Sequence, residues 1–61
     1  MITTTYLESD FTAELWIELK EELTKMVAAG TGCMFMAYND RIRATIPHEA
    51  NDWIQTLKIQ Q

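Results

Sequence analysis

The stretch CMFMAYNDRIRATI, Cys33 to Ile46, decides the fold. Its two halves are rich in strand formers and meet at Asn39-Asp40, residue types that favour tight turns. Folding the chain there gives a β-hairpin, whose side chains sort with a period of two. One face carries Cys33, Phe35, Ala37, Ile42, Ala44 and Ile46, apolar throughout, as a core requires. The opposite face carries Met34, Met36, Tyr38, Arg41, Arg43 and Thr45. Three of those six are large and apolar or aromatic, where contact with water alone favours Lys, Glu or Ser. The outer face is therefore expected to meet something.

Working outward from the hairpin, helical periodicity appears on both sides. Upstream, Leu7, Phe11, Leu15, Leu19, Leu23 and Val27 stand four residues apart, and Trp16 and Met26 widen the same stripe. The spacing predicts a first helix that begins between residues 6 and 10 and runs to Ala29. Thr5 with Glu8 matches a capping box, and Ser9 or Asp10 could equally serve as N-cap. Gly30 is placed to end the helix in the left-handed conformation, with Gly32 reinforcing the stop. Downstream, Pro47 suits the first turn of a second helix, and Glu49 and Asp52 suit its positive end. Ala50, Trp53, Ile54 and Leu57 follow at i, i+3, i+4 and i+7. Residues 2–6 (ITTTY) read as a short edge strand or an ordered arm. The expected fold is α+β, in the order (β)αββα, with two amphipathic helices on one face of the hairpin.

Size adds a constraint. The 61 residues make a single domain near the lower limit for independent folding. A core this small rarely supplies more than about 3–5 kcal/mol without a staple. One cysteine cannot form an intramolecular disulfide, and Cys33 with His48, the one histidine, cannot build a structural zinc site. Cys33 on the core face reads as a small buried hydrophobe. A first helix of about twenty residues would be ~30 Å long, enough to overhang a monomer with a radius of gyration of roughly 10 Å. Both points favour a homodimer, or else a helix that breaks early.

The chain carries nine acidic against five basic residues, a formal charge of −4. Generic nucleic-acid binding through a basic patch is disfavoured by that balance. The opening MITTTYLESD has no basic residue and no apolar run, and nothing approaches the eighteen apolar residues of a membrane span. The expectation is a cytoplasmic protein with no membrane partner.

The candidate binding residues are Met34, Met36, Tyr38, Arg41 and Arg43. Methionine adapts to irregular surfaces, and tyrosine and arginine anchor binding hot spots. That combination points to a protein partner or to self-association. The competing reading covers Met34 and Met36 with the residues 2–6 strand or a terminus, and a third assigns Arg41 and Arg43 to nucleic acid. A second feature is an acidic ladder on the first helix: Asp10, Glu14, Glu18 and Glu22. Like charges at that spacing cost a few tenths of a kcal/mol per pair, about the gain from a single opposite pair such as Glu21 with Lys25. Ordinarily such a row is a solvated face; its alternative is imitation of DNA phosphates or pairing with a basic groove. Ile17 lies on that polar side and raises the chance of contact. Catalysis has little footing. His48 lies at a helix start with no nucleophile placed beside it, the carboxylates are spread over a face, and no glycine-rich phosphate loop or cofactor motif is present.

MITTTYLES at the start, VAAG at Val27 to Gly30, an Asn-containing hairpin turn, and Ile46-Pro47 with Glu49 entering a helix resemble the Phd/YefM family of antitoxins over residues 1–57. The resemblance implies a dimeric, non-enzymatic fold that pairs hairpins or helices across a two-fold axis. Family members carry a basic residue early in helix one, where this chain has Asp10 and Phe11, and they extend into a toxin-wrapping tail. No family DNA-binding or toxin-binding residue therefore transfers. The α-hairpin-α order also resembles phage head-completion proteins of the lambda W type, which are basic where this chain is acidic. The leading expectation is a small regulator or inhibitor that occludes or sequesters a protein. An acidic DNA-mimic inhibitor, an antitoxin-like repressor and a phage structural protein are the alternatives.

Overall fold

The computed structural model describes residues 1–58. Strand β1 (Ile2–Leu7) leads through a short 3-10 turn (Glu8–Asp10) to helix α1 (Ala13–Ala28). The hairpin strands β2 (Met34–Ala37) and β3 (Arg41–Ile46) follow, then helix α2 (His48–Leu57). The strands form one antiparallel sheet in the order β1-β3-β2, so the hairpin's second strand becomes the centre. The α+β architecture with both helices on one face of the hairpin is as the periodicity indicates. The parenthesised first strand is a full member of the sheet.

The hairpin register pairs Met34 with Thr45, Phe35 with Ala44, Met36 with Arg43 and Ala37 with Ile42. The Tyr38 amide donates to the Arg41 carbonyl at 2.8 Å, closing the turn over Asn39-Asp40. Neither turn residue has a positive φ, so the turn is not of the primed type that two-residue hairpins favour. A further clasp steadies it: the Glu8 amide donates to the Asp40 carbonyl at 3.0 Å.

The sheet's inner face supplies Tyr6, Ile42, Ala44 and Ile46 to the core, which Trp16, Leu19 and Leu23 of α1 and Ile54 of α2 complete. Phe11 caps this cluster, its ring edge-on to Tyr6 at 6.3 Å and tilted against Trp16 at 5.5 Å. The Tyr6 hydroxyl donates to Asn51 Oδ1 at 2.6 Å, and Gln55 Nε2 donates to the same oxygen at 3.2 Å. That bond ties α2 to β1, and burial pushes the Tyr6 pKa up to about 12.

Several expectations are corrected. The first helix starts at Ala13, with Thr12 as N-cap accepting from the Leu15 amide at 3.2 Å. Thr5, Ser9 and Asp10 do not cap it, because residues 2–7 are drawn into the sheet and the chain must turn before a helix can start. Leu7 is therefore an exposed strand residue, and Phe11 reaches the core from the loop rather than from a helical stripe. Val27 and Trp53, both placed on apolar stripes, are 43% and 38% exposed, and Ala37 lies exposed at the end of the hairpin's inner face. At Val27 the fours ladder has wound off the core side, since each step of four overshoots the helical turn by about 40°. Lys25 pairs with Glu22 at 3.4 Å instead of Glu21. Pro47 stands at the N-cap of α2, one residue ahead of the first turn. Gly30 and Gly32 do have positive φ, 72° and 84°, as a glycine stop requires. At sixteen residues α1 is ~24 Å long. It fits within the 33 Å long axis, so the overhang argument for a dimer falls away.

Candidate functional site

Both helices lie on one side of the sheet, which leaves the other side as open β-structure. The registers arrange that face in three rows across the strands: Thr3-Thr45-Met34, Thr5-Arg43-Met36 and Leu7-Arg41-Tyr38. Read along the strands, the same grid is a column of Thr3, Thr5 and Leu7 on β1, one of Thr45 and two arginines on β3, and a Met-Met-Tyr column on β2. The five predicted binding residues thus sit side by side on one surface.

Met34, Met36 and Tyr38 are 64%, 62% and 50% exposed. Strand β1 pairs on the far side of β3, so it does not cover the methionines. Singly exposed apolar side chains are ordinary, but these three are contiguous on one face and form the kind of patch that marks an interaction surface. The Tyr38 hydroxyl rests 3.8 Å from Met36 Sδ, which holds the two side chains together.

The two arginines are not equivalent. Arg41 donates from Nε to Asp40 Oδ1 at 3.1 Å and from Nη2 to Oδ2 at 3.3 Å. Those hydrogen bonds and the Arg41 charge hold the Asp40 carboxyl below its ordinary value. Arg43 makes no salt bridge among the described residues. It is the free cation at the centre of the grid, next to Thr5 and Met36. Thr3 and Thr45 hydroxyls hydrogen-bond each other at 3.0 Å, and shallow depressions run along both flanks of Arg43.

The acidic ladder survives only in part. Glu14, Glu18 and Glu22 lie on α1, but Asp10 falls in the 3-10 turn and faces Lys58 at 3.9 Å. Ile17 is exposed at 55% among these carboxylates. Cys33 is buried with Sγ 3.1 Å from Thr31 Oγ1, and His48 is exposed at the start of α2. No group of three or more His, Cys, Asp or Glu is gathered for a metal ion among the described residues, and no described helix is long and apolar enough to cross a membrane. Sequence reading missed the β1 column, because the register of β1 against β3 is long-range. No family model matches the chain, and neither a curated protein nor a solved structure shows significant similarity to it.

Proposed function

We propose that this chain is a small non-enzymatic regulator or inhibitor of the cytoplasm, acting by occluding or sequestering a protein partner on the open face of its sheet. The observation that supports the reading is the Met34-Met36-Tyr38 column, exposed beside Arg43, which makes no salt bridge among the described residues. Such a surface suits a partner segment with an apolar ridge and a carboxylate. The thioethers adapt to the ridge, the tyrosine supplies a rigid anchor, and the guanidinium gives orientation. Inhibition then needs no chemistry, only that the bound segment be one the partner uses.

The test is a photocrosslinking residue at Thr45, beside Met34 on the face, with crosslinked species compared between three chains. Met36→Lys with Tyr38→Ala removes the anchor column and is expected to abolish the crosslink while circular dichroism stays unchanged. Glu14→Lys with Glu18→Lys, on the helical side, is expected to keep it. The opposite pattern, loss only on charge reversal, would replace this reading with the acidic DNA mimic. A salt-dependent shift of duplex DNA would favour the antitoxin-like repressor that the Phd/YefM resemblance implies, and recovery in assembled particles would favour a phage structural role.

A further inference from the structure

The hydrogen-bond parity of the sheet leaves a specific template on β2. Because Tyr38 and Arg41 form the closing hydrogen-bonded pair, Met36 and Met34 also direct their backbone groups toward β3. Phe35 and Ala37 then direct their N–H and C=O groups to the open edge. Strand β2 is short, but three of the usual protections of an edge strand are missing from it: MFMA has no charge, no proline and no bulge.

We infer that the β2 edge is a self-association site, at which a second copy pairs its own β2 antiparallel across a two-fold axis through Met36. Only this register lets both edge residues of each copy pair. Phe35 exchanges hydrogen bonds with Ala37 of the second copy, and Ala37 with its Phe35, four main-chain bonds in all. The side chains match in the same register. On the inner face the half-buried Phe35 ring lies opposite the exposed Ala37, large against small on both sides of the axis. On the outer face Met34 lies opposite Tyr38, Met36 opposite Met36, and Tyr38 opposite Met34, pairing thioethers with aromatic rings.

Charge permits the approach. No ionisable side chain lies on β2, and Asp40, the nearest carboxylate, falls opposite Gly32 of the second copy and is already bonded to Arg41. The two Arg43 side chains stand three strand spacings apart, about 14 Å, beyond a Debye length at physiological salt. Strand β1 is the other open edge; its outward residues are Thr3, Thr5 and the exposed Leu7, two of the three polar. Its corresponding register sets Glu8 against Ile2. The β2 pairing would join two three-stranded sheets into one of six, with a Met/Tyr band at its centre flanked by the arginines of the two copies. This inference deepens the proposed function by naming a second copy as one occupant of the Met/Tyr column's edge. It does not depend on a foreign partner. The contact is a short edge, small beside standard interfaces, so association is expected in the micromolar range or weaker.

The test combines sedimentation equilibrium from 10 µM to 1 mM (about the range set by so small an interface) with cysteine crosslinking of the purified chain. Met36→Cys places two thiols across the axis at a Cα separation of about 4.5 Å, within disulfide range, whereas the Cα atoms of Met34→Cys lie about 14 Å apart. Under mild oxidant, Met36→Cys is expected to give a 36–36 linked dimer, confirmed by peptide mass, at least tenfold faster than Met34→Cys. Ala37→Pro removes an outward amide that β3 does not use, and is expected to keep the circular dichroism spectrum and lose the dimer. A monomer throughout the concentration range, or equal crosslinking at 34 and 36, would overturn the inference. Since only this chain is in the cell, that failure would leave the protein-partner reading standing.

Discussion

Removing the Tyr6 hydroxyl separates two contributions that the fold makes depend on one atom. In Tyr6→Phe the ring and its packing on Phe11 stay, while the bond to Asn51 Oδ1 is lost. Asn51 keeps the donor from Gln55, so no acceptor is stranded. The cost at pH 7 is then that of one net hydrogen bond, about 1 kcal/mol. Alkali reverses the sign. Burial raises the folded-state pKa of Tyr6 from 10 to about 12. A group raised in this way contributes its full stability below the unfolded value and loses it as pH climbs through the folded one. Between pH 10 and 12 the unfolded chain releases the phenolic proton first, and the native state loses stability on the order of 2–3 kcal/mol. Phenylalanine has no proton to release. The variant should therefore be less stable than the parent at pH 7, equal to it between about pH 10 and 11, and more stable above. Urea titrations followed by circular dichroism at pH 7, 9, 10 and 11 measure the difference, from which Tyr38 and the lysines cancel. A difference that stays constant from pH 8 to 11 would refute the reasoning, because it would mean that the Tyr6 hydroxyl ionises as freely in the folded protein as in the unfolded one.

Other substitutions test particular elements. Thr12→Ala removes the N-cap of α1 and should cost about 1 kcal/mol in urea, whereas Ser9→Ala should be neutral within a few tenths. Gly30→Ala meets no atom within 4 Å but forces a side chain into φ 72°, so a loss of about 1 kcal/mol with an unchanged fold is expected by thermal melting. Glu18→Lys breaks the repulsive ladder at its centre and should leave stability unchanged or raise it by a few tenths of a kcal/mol, a gain that 1 M salt should erase. Leu19→Ala opens the buried centre of α1 at a cost of about 2–5 kcal/mol, comparable to the whole stability of so small a core, and should unfold the chain at 25 °C by circular dichroism.

The hairpin and its two faces were legible because strand alternation is a local property: Cys33, Ile42, Ala44 and Ile46 are buried where the period of two puts them, and Met34, Met36 and Tyr38 are exposed. The glycine stop and the second helix were legible for the same reason. The start of α1 was not. ITTTYLESD satisfies both a strand and a helical entry, and only pairing of Ile2 to Leu7 with Ile46 to Arg41 decides between them. That choice moved Asp10 off the acidic ladder and shortened the helix on which the dimer expectation partly rested.

The residues Met34, Met36, Tyr38, Arg41 and Arg43 came from the sequence alone, because a face that departs from what water selects is visible wherever the period is known. Which strand lies beside them came only from the tertiary structure. Placing β1 next to β3 rather than β2 set threonines beside Arg43 and, among the described residues, kept the methionines uncovered and left β2 with an unpaired edge. Strand order is settled by contacts some forty residues apart in the chain, such as the bond from Tyr6 to Asn51, whose formation depends on burying the inner face of the whole sheet at once. No local pattern of side chains records that cooperative choice.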